Sequence, residues 1–158
     1  MSRTVPMTRV GYVALKNELD RLKKEDRPHV VKQIEEARAH GDLSENAEYD
    51  AAKERQGFIE TKITEIEDKL ARAEVIDPSE HRSERVVFGA TMVLEDLDSG
   101  ETSRYQIVGE DEADIKNGKI NVHSPLARAA IGKETGEEVV LQAPGGARSY
   151  EVLEILFD

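Results

Sequence analysis

The sequence predicts an α+β protein, with a long antiparallel helical coiled-coil hairpin followed by a small domain of mainly antiparallel strands. Three observations carry this reading. A heptad seam runs through residues 49–73, a polar stretch with a proline interrupts the pattern at 77–84, and short strand patterns separated by turn signals fill the remainder.

In the first helix, Leu15, Leu19 and Leu22 share one face, and Val30, Ile34 and Ala37 resume it further on. Pro28 lies between the two sets, where it should kink the helix or start a new one. Gly41 is placed to stop the helix. The second helix is the clearest element. Tyr49, Ala52, Gln56, Ile59, Ile63, Ile66, Leu70 and Ala73 alternate in spacings of three and four, which is the a/d seam of one coiled-coil strand. A connection of only a few residues makes the two helices antiparallel neighbours. The expected hairpin occupies 1–76 with its tip at 41–45, the linker 77–84, and the second domain 85–158. In that domain Val86–Leu94, Arg104–Val108, Lys119–Val122, Val139–Ala143 and Tyr150–Leu156 read as strands, with Asn117-Gly118 and Pro144-Gly145-Gly146 as turns. Ser124 as N-cap, Pro125 at the first position and Gly132 as the stop frame one short helix.

Composition narrows the function classes. The 158 residues contain no cysteine, which excludes disulfides and thiolate metal sites. No long apolar run follows the first residues, so neither a signal peptide nor a membrane span is expected, and a cytoplasmic protein is the plain reading. Aromatics are 4% and charged residues 35%, which suits a chain that is partly elongated and wet on most sides. The net charge of -11 is uneven: residues 1–77 hold 14 Lys/Arg against 17 Asp/Glu, and residues 78–158 hold 8 against 16.

The tip is acidic. Residues 41–50, Gly-Asp-Leu-Ser-Glu-Asn-Ala-Glu-Tyr-Asp, hold four carboxylates and no Lys or Arg. Two readings are compatible with this. Asp42 can cap the second helix, with Glu45 closing a capping box. Alternatively, Asp42 and Glu45 can offer oxygen ligands to magnesium, weakly on their own and strongly only where another molecule completes the set. The histidines, His29, His40, His81 and His123, are scattered, and a hard cation argues against pairing His40 with Asp42.

Ala37-Arg38-x-x-Gly41-Asp42-Leu43-Ser44-Glu45-Asn46-Ala47-Glu48-Tyr49 closely resembles the tip signature of the bacterial transcript-cleavage factors of the Gre family. Ser124-Pro125-Leu126-Ala127-Arg128-x-x-Ile131-Gly132-Lys133 resembles that family's second signature, and Pro144-Gly145-Gly146 its last turn. The resemblance covers Met7 to Phe157. It implies an FKBP-like C-terminal domain that docks at the rim of the secondary channel of RNA polymerase, with Ser124-Pro125 on the docking face. It also implies a hairpin that enters the channel and stimulates the polymerase's own cleavage of backtracked RNA. Asp42 and Glu45 then fall on the acids that help hold a shared Mg2+, and Arg38 and Lys53 on the basic spot that contacts the nascent RNA 3′ end. Tyr49 takes the first seam position, where packing accounts for an aromatic without the other role it could play, base stacking. Leu43 reads either as a small plug of the hairpin end or as a contact inside the channel.

The resemblance thus implies a monomeric cofactor of the polymerase rather than an enzyme. Two alternatives share its fold. One is a prolyl isomerase or chaperone, for which Phe88, Tyr105, Tyr150 and Phe157 are a thin supply of pocket aromatics. The other is a channel-blocking polymerase inhibitor, whose relatives depart from the Asp-Leu-Ser-Glu-Asn tip. A close relative that handles long extruded RNA would need a more basic hairpin. The charge distribution yields the first prediction, because affinity for nucleic acid comes from cations at phosphates. At physiological salt the chain should show no measurable binding to free duplex DNA in a mobility-shift titration. Tight binding with a steep salt slope would contradict it.

Overall fold

The computed structural model describes residues 3–41 and 46–158. The chain divides into two compact units, one of Arg3 with Tyr12–Ala73 and the other of Thr4–Gly11 with Glu74–Asp158. Residues 4–11, counted with the hairpin from sequence, cluster with the second unit.

The hairpin rests on three helical segments. Helix α1 is Arg9–Arg21, α2 is Arg27–Ala39 and α3 is Ala47–Ala71. At about 1.5 Å per residue, the 25 residues of α3 extend roughly 37 Å. Every seam position of α3 is buried or half-buried. Leu22, Ile63 and Ile66 form a cluster flanked by Leu15, Leu19, Ile59 and Leu70. Nearer the tip the buried residues shrink to Ala37 and Ala52. Exposed pairs tie the flanks, with Lys23 Nζ 2.9 Å from Glu67 and Arg27 donating to both oxygens of Glu60 at 2.8 and 2.9 Å. Their hydrogen bonding holds the Arg27 guanidinium above and the Glu60 carboxyl below the ordinary value.

Between α1 and α2, residues Leu22–Asp26 form a π-helical turn, in which the Arg27 N–H bonds to the Leu22 carbonyl five residues back. The sequence explains it. Leu22 and Val30 are eight residues apart where a heptad seam needs seven. A π turn absorbs one extra residue and returns Val30, Ile34 and Ala37 to the packed face. Pro28 follows in the first turn of α2, where its missing N–H is tolerated. The helix is therefore re-phased just ahead of the proline.

In the second unit, strands Val5–Thr8 (β1) and Ala73–Ile76 (β2) form a two-stranded sheet. Five strands make a mixed sheet in the order β5-β4-β3-β7-β6. They are Thr91–Asp96 (β3), Thr102–Val108 (β4), Lys119–Asn121 (β5), Glu138–Ala143 (β6) and Gly146–Leu156 (β7). All neighbours are antiparallel except β4 and β5. A bulge interrupts the β3–β7 register between Val93 and Leu94. Helix α4, Pro125–Ala130, buries Ala127 and Ala130 in a core with Val86, Met92, Leu94, Ile107, Ile120, Val139 and Val152. The expected strand from Val86 starts only at Thr91. Gly89 has φ +87, its N–H bonds to the Ile107 carbonyl, and a Cβ there would meet Pro78 at 2.9 Å, so residues 87–90 turn instead of extending.

A clasp holds Thr4–Gly11 in this unit. The Glu112 carboxylate accepts the Thr8 N–H at 3.0 Å, the Gly109 N–H at 3.0 Å and the Thr8 hydroxyl. The Thr8 hydroxyl oxygen in turn accepts the Gly11 N–H at 3.1 Å, as an N-cap of α1 does. A Cβ at Gly11 would lie 2.2 Å from Glu112 Cδ, and one at Gly109 would lie 2.5 Å from the Pro6 carbonyl oxygen. Removing the carboxylate strands partly buried donors, which costs about 2 kcal/mol. Glu112→Ala should lower the unfolding free energy in urea by that amount. Gly11→Ala should act through the same contact, so the double variant should lose less than the sum of the two. An unchanged midpoint for Glu112→Ala would remove the clasp from the stability account.

Candidate functional site

The ends of α2 and α3 frame the tip. Helix α2 closes at His40 in a right-handed conformation, and Gly41 follows with φ +105, a backbone state that favours glycine. Its N–H bonds to the Arg38 carbonyl at 3.2 Å. Helix α3 opens at Ala47 with Asn46 as N-cap, whose Oδ1 accepts the Tyr49 N–H at 3.0 Å. This corrects the expectation that Asp42 caps the second helix in a capping box with Glu45. Asp, Asn and Ser are nearly equal as N-caps, and four residues of register separate Asp42 from the residue that does the work. Asp42, Leu43, Ser44 and Glu45 themselves lie outside the described residues. Glu48 and Asp50 occupy the first turn of α3, where acids favour the positive end of the helix dipole.

Among the described residues, three side-chain contacts cross from the last turns of α2 to the first turn of α3. The Asn46 amide donates to the Ala37 carbonyl at 2.6 Å. His40 Nδ1 lies 3.0 Å from a Glu48 carboxylate oxygen, with both side chains largely exposed. The Arg38 guanidinium sits 6.0 Å from the centre of the Tyr49 ring, close enough for a cation–π contact worth about 0.5–1 kcal/mol at an exposed site.

Arg38 and Lys53 are both exposed. Lys53 lies one turn beyond Tyr49 on the same face of α3, and its ammonium donates to Gln56 Oε1 at 3.1 Å. Tyr49 is half-buried, and so serves both the seam and the support of Arg38. Sequence reasoning weighed seam packing against base stacking and did not foresee the support of Arg38. A shallow groove on the hairpin near the tip is lined by Gln33, Ala37, His40, Glu48, Ala51 and Arg55. The Arg55 Nε–H donates across it to Gln33 at 3.2 Å. Among the described residues, no three His, Cys, Asp or Glu side chains gather where a metal ion could be held.

In the second unit, the sequence-predicted pair Ser124 and Pro125 begins α4 as expected. The Ser124 hydroxyl accepts the Ala127 N–H at 3.3 Å, and Pro125 is exposed in the first turn. Gly132 follows the helix with φ +91, and its N–H bonds to the Val86 carbonyl. No helix among the described residues is long and apolar enough to cross a membrane.

Comparison with known proteins places this architecture. Residues 5–75 match the model "Transcription elongation factor, N-terminal", and residues 81–157 match "Transcription elongation factor, GreA/GreB, C-term". The transcription elongation factor GreA of Phenylobacterium zucineum is 61% identical over 151 residues, covering 96% of each chain. That of Ralstonia nicotianae is 60% identical over 155 residues, covering 98% of each. Among solved structures, GreA factor homolog 1 of Thermus thermophilus is 31% identical, with a TM-score of 0.45 over 98% of this chain and 99% of that one. Two family models matched in order, and such identity over nearly the full length, show that the chain belongs to the GreA/GreB family of transcription elongation factors.

Proposed function

We propose that this elongation factor binds RNA polymerase at its secondary channel and stimulates the polymerase's own cleavage of the nascent RNA 3′ end in backtracked complexes. The observation that carries the reading is the cap of α3. Asn46 fills that post, so the acidic tip sequence is not accounted for by capping this helix. A Lys- and Arg-free run with Asp42 and Glu45 between two helix ends suits the delivery of carboxylate oxygens into a site built by another molecule.

The donor set fits a hard cation. Two carboxylates without thiols match magnesium, which often takes only one or two protein ligands and leaves the rest to other groups. Asp42 and Glu45 would hold it jointly with the polymerase. When bound, it would supply water activation and charge stabilisation at the attacking and leaving oxygens. Arg38, braced by the Tyr49 ring, and Lys53 present cations to RNA phosphates. The chain contributes these groups to a nuclease centre that belongs to the polymerase.

The second unit supplies the docking surface, with the start of α4 as part of it. Ser124→Ala should cost about 1 kcal/mol of stability as a lost cap, whereas Ser124→Asp should keep the cap. If the site docks, Ser124→Asp should weaken polymerase binding despite wild-type stability. Equal affinity for wild type and Ser124→Asp would leave Ser124 as a helix cap alone.

The tip is tested with halted, backtracked elongation complexes. The Asp42→Asn, Glu45→Gln double variant keeps the shape and removes the charge. It should bind polymerase and melt as the wild type does, yet fail to stimulate RNA shortening. Raising magnesium should restore part of the activity by mass action. Normal cleavage by this variant would end the metal-assisting role of the two acids.

A further inference from the structure

Asn46 does more than a cap requires. An N-cap needs only an acceptor for the Tyr49 N–H, and Oδ1 supplies it at 3.0 Å. The other half of the same amide donates to the Ala37 carbonyl, nine residues back in the last turns of α2, at 2.6 Å. The orientation is forced by chemistry. Reversing the amide would set a donor against the Tyr49 N–H and an acceptor against the Ala37 carbonyl. The side chain is half-buried, and the bond is neutral. The other two described ties across the tip, His40–Glu48 and Arg38–Tyr49, involve ionisable side chains, all exposed except the half-buried Tyr49. Among the side chains that cap helices well, Asp keeps the acceptor but has no donor for Ala37, and Ser would have to meet both partners with one oxygen on a shorter side chain, whereas the amide reaches them with two separate atoms.

We infer that Asn46 is a positioning residue for the tip acids: its amide joins the end of α2 to the start of α3 and so fixes the two anchor points of residues 42–45. This rests on the cleavage-stimulating reading of Asp42 and Glu45. This role requires no contact of Asn46 with RNA or the reacting atoms. The side chain acts by fixing the ends of the four-residue connection that bears both carboxylates. Small errors in the placement of a reacting group cost one to two orders of magnitude in rate, so a bond at the ends of so short a span is felt at the chemistry.

The experiment compares the full-length wild type with Asn46→Ser and Asn46→Ala in backtracked elongation complexes. It measures the cleavage rate at saturating factor, the factor concentration for half-maximal effect, the magnesium dependence and the melting temperature. Asn46→Ser retains the cap and removes the cross-tip bond. It should melt near the wild type and reach half-effect within about twofold of its concentration. Its saturating cleavage rate should fall roughly tenfold or more, and its magnesium midpoint should rise. Asn46→Ala should show the same kinetic loss together with a lower melting temperature. A purely structural cap predicts a different split, in which Asn46→Ser cleaves as the wild type does and only Asn46→Ala is impaired. That outcome would overturn the inference while leaving the function of the tip acids standing. A wild type that fails to stimulate cleavage would overturn both.

Discussion

Glu112 receives the backbone of Thr8, the hydroxyl of Thr8 and the backbone of Gly109 on one carboxylate, and two glycines leave room for it. The rest of the molecule is organised around this contact because it spans 104 residues of sequence. With Thr4–Gly11 held in the second unit, the chain leaves that unit at Gly11 and rejoins it at Glu74. Topologically, the helical hairpin is an insertion within the other unit and not a domain strung in front of it. The same hydroxyl that meets Glu112 accepts the Gly11 N–H, so the first turn of α1 is defined by a residue far away in sequence.

Along the hairpin the governing constraint is phase. A seam of buried positions works only while each turn returns its side chains to the facing helix. The eight-residue interval from Leu22 to Val30 breaks that rule, and the π turn at Leu22–Asp26 restores it. The apolar content is graded as well. Leucine and isoleucine fill the cluster of Leu22, Ile63 and Ile66, whereas Ala37 and Ala52 pack nearer the tip. Small side chains bring the two backbones close, which lets a side chain as short as Asn46 reach the Ala37 carbonyl.

The parts of this structure legible in the sequence are those set by local pattern. The α3 seam, the Ser124 cap, the Gly41 and Gly132 stops and the strands after Asp96 all follow from spacing or turn chemistry. Contacts between distant segments leave no periodic trace. The pairing of Val5–Thr8 with Ala73–Ile76 and the Glu112 clasp are of this kind. Residues 86–90 misled for another reason, because their apolar run reads as a strand while Gly89 turns it. At the tip, Asp42 and Asn46 are equally good caps by type, and only the backbone shows that Asn46 is used. The proposed roles of Asp42, Glu45, Arg38 and Lys53 rest on a motif alone, since two acids and two cations have no distinctive periodicity.

The clasp also orders events during synthesis. Once the chain has emerged a little past Ala73, the hairpin has all the residues it needs, because its contacts lie within Tyr12–Ala73. The strand at Val5–Thr8 precedes the hairpin in the chain, yet its partner carboxylate at Glu112 is still to come. At roughly 5–20 residues per second, the interval is a few seconds. Through that time the strand can pair with Ala73–Ile76 but stays unclasped. The pairing that closes the base of the hairpin is thus available before the carboxylate that locks it.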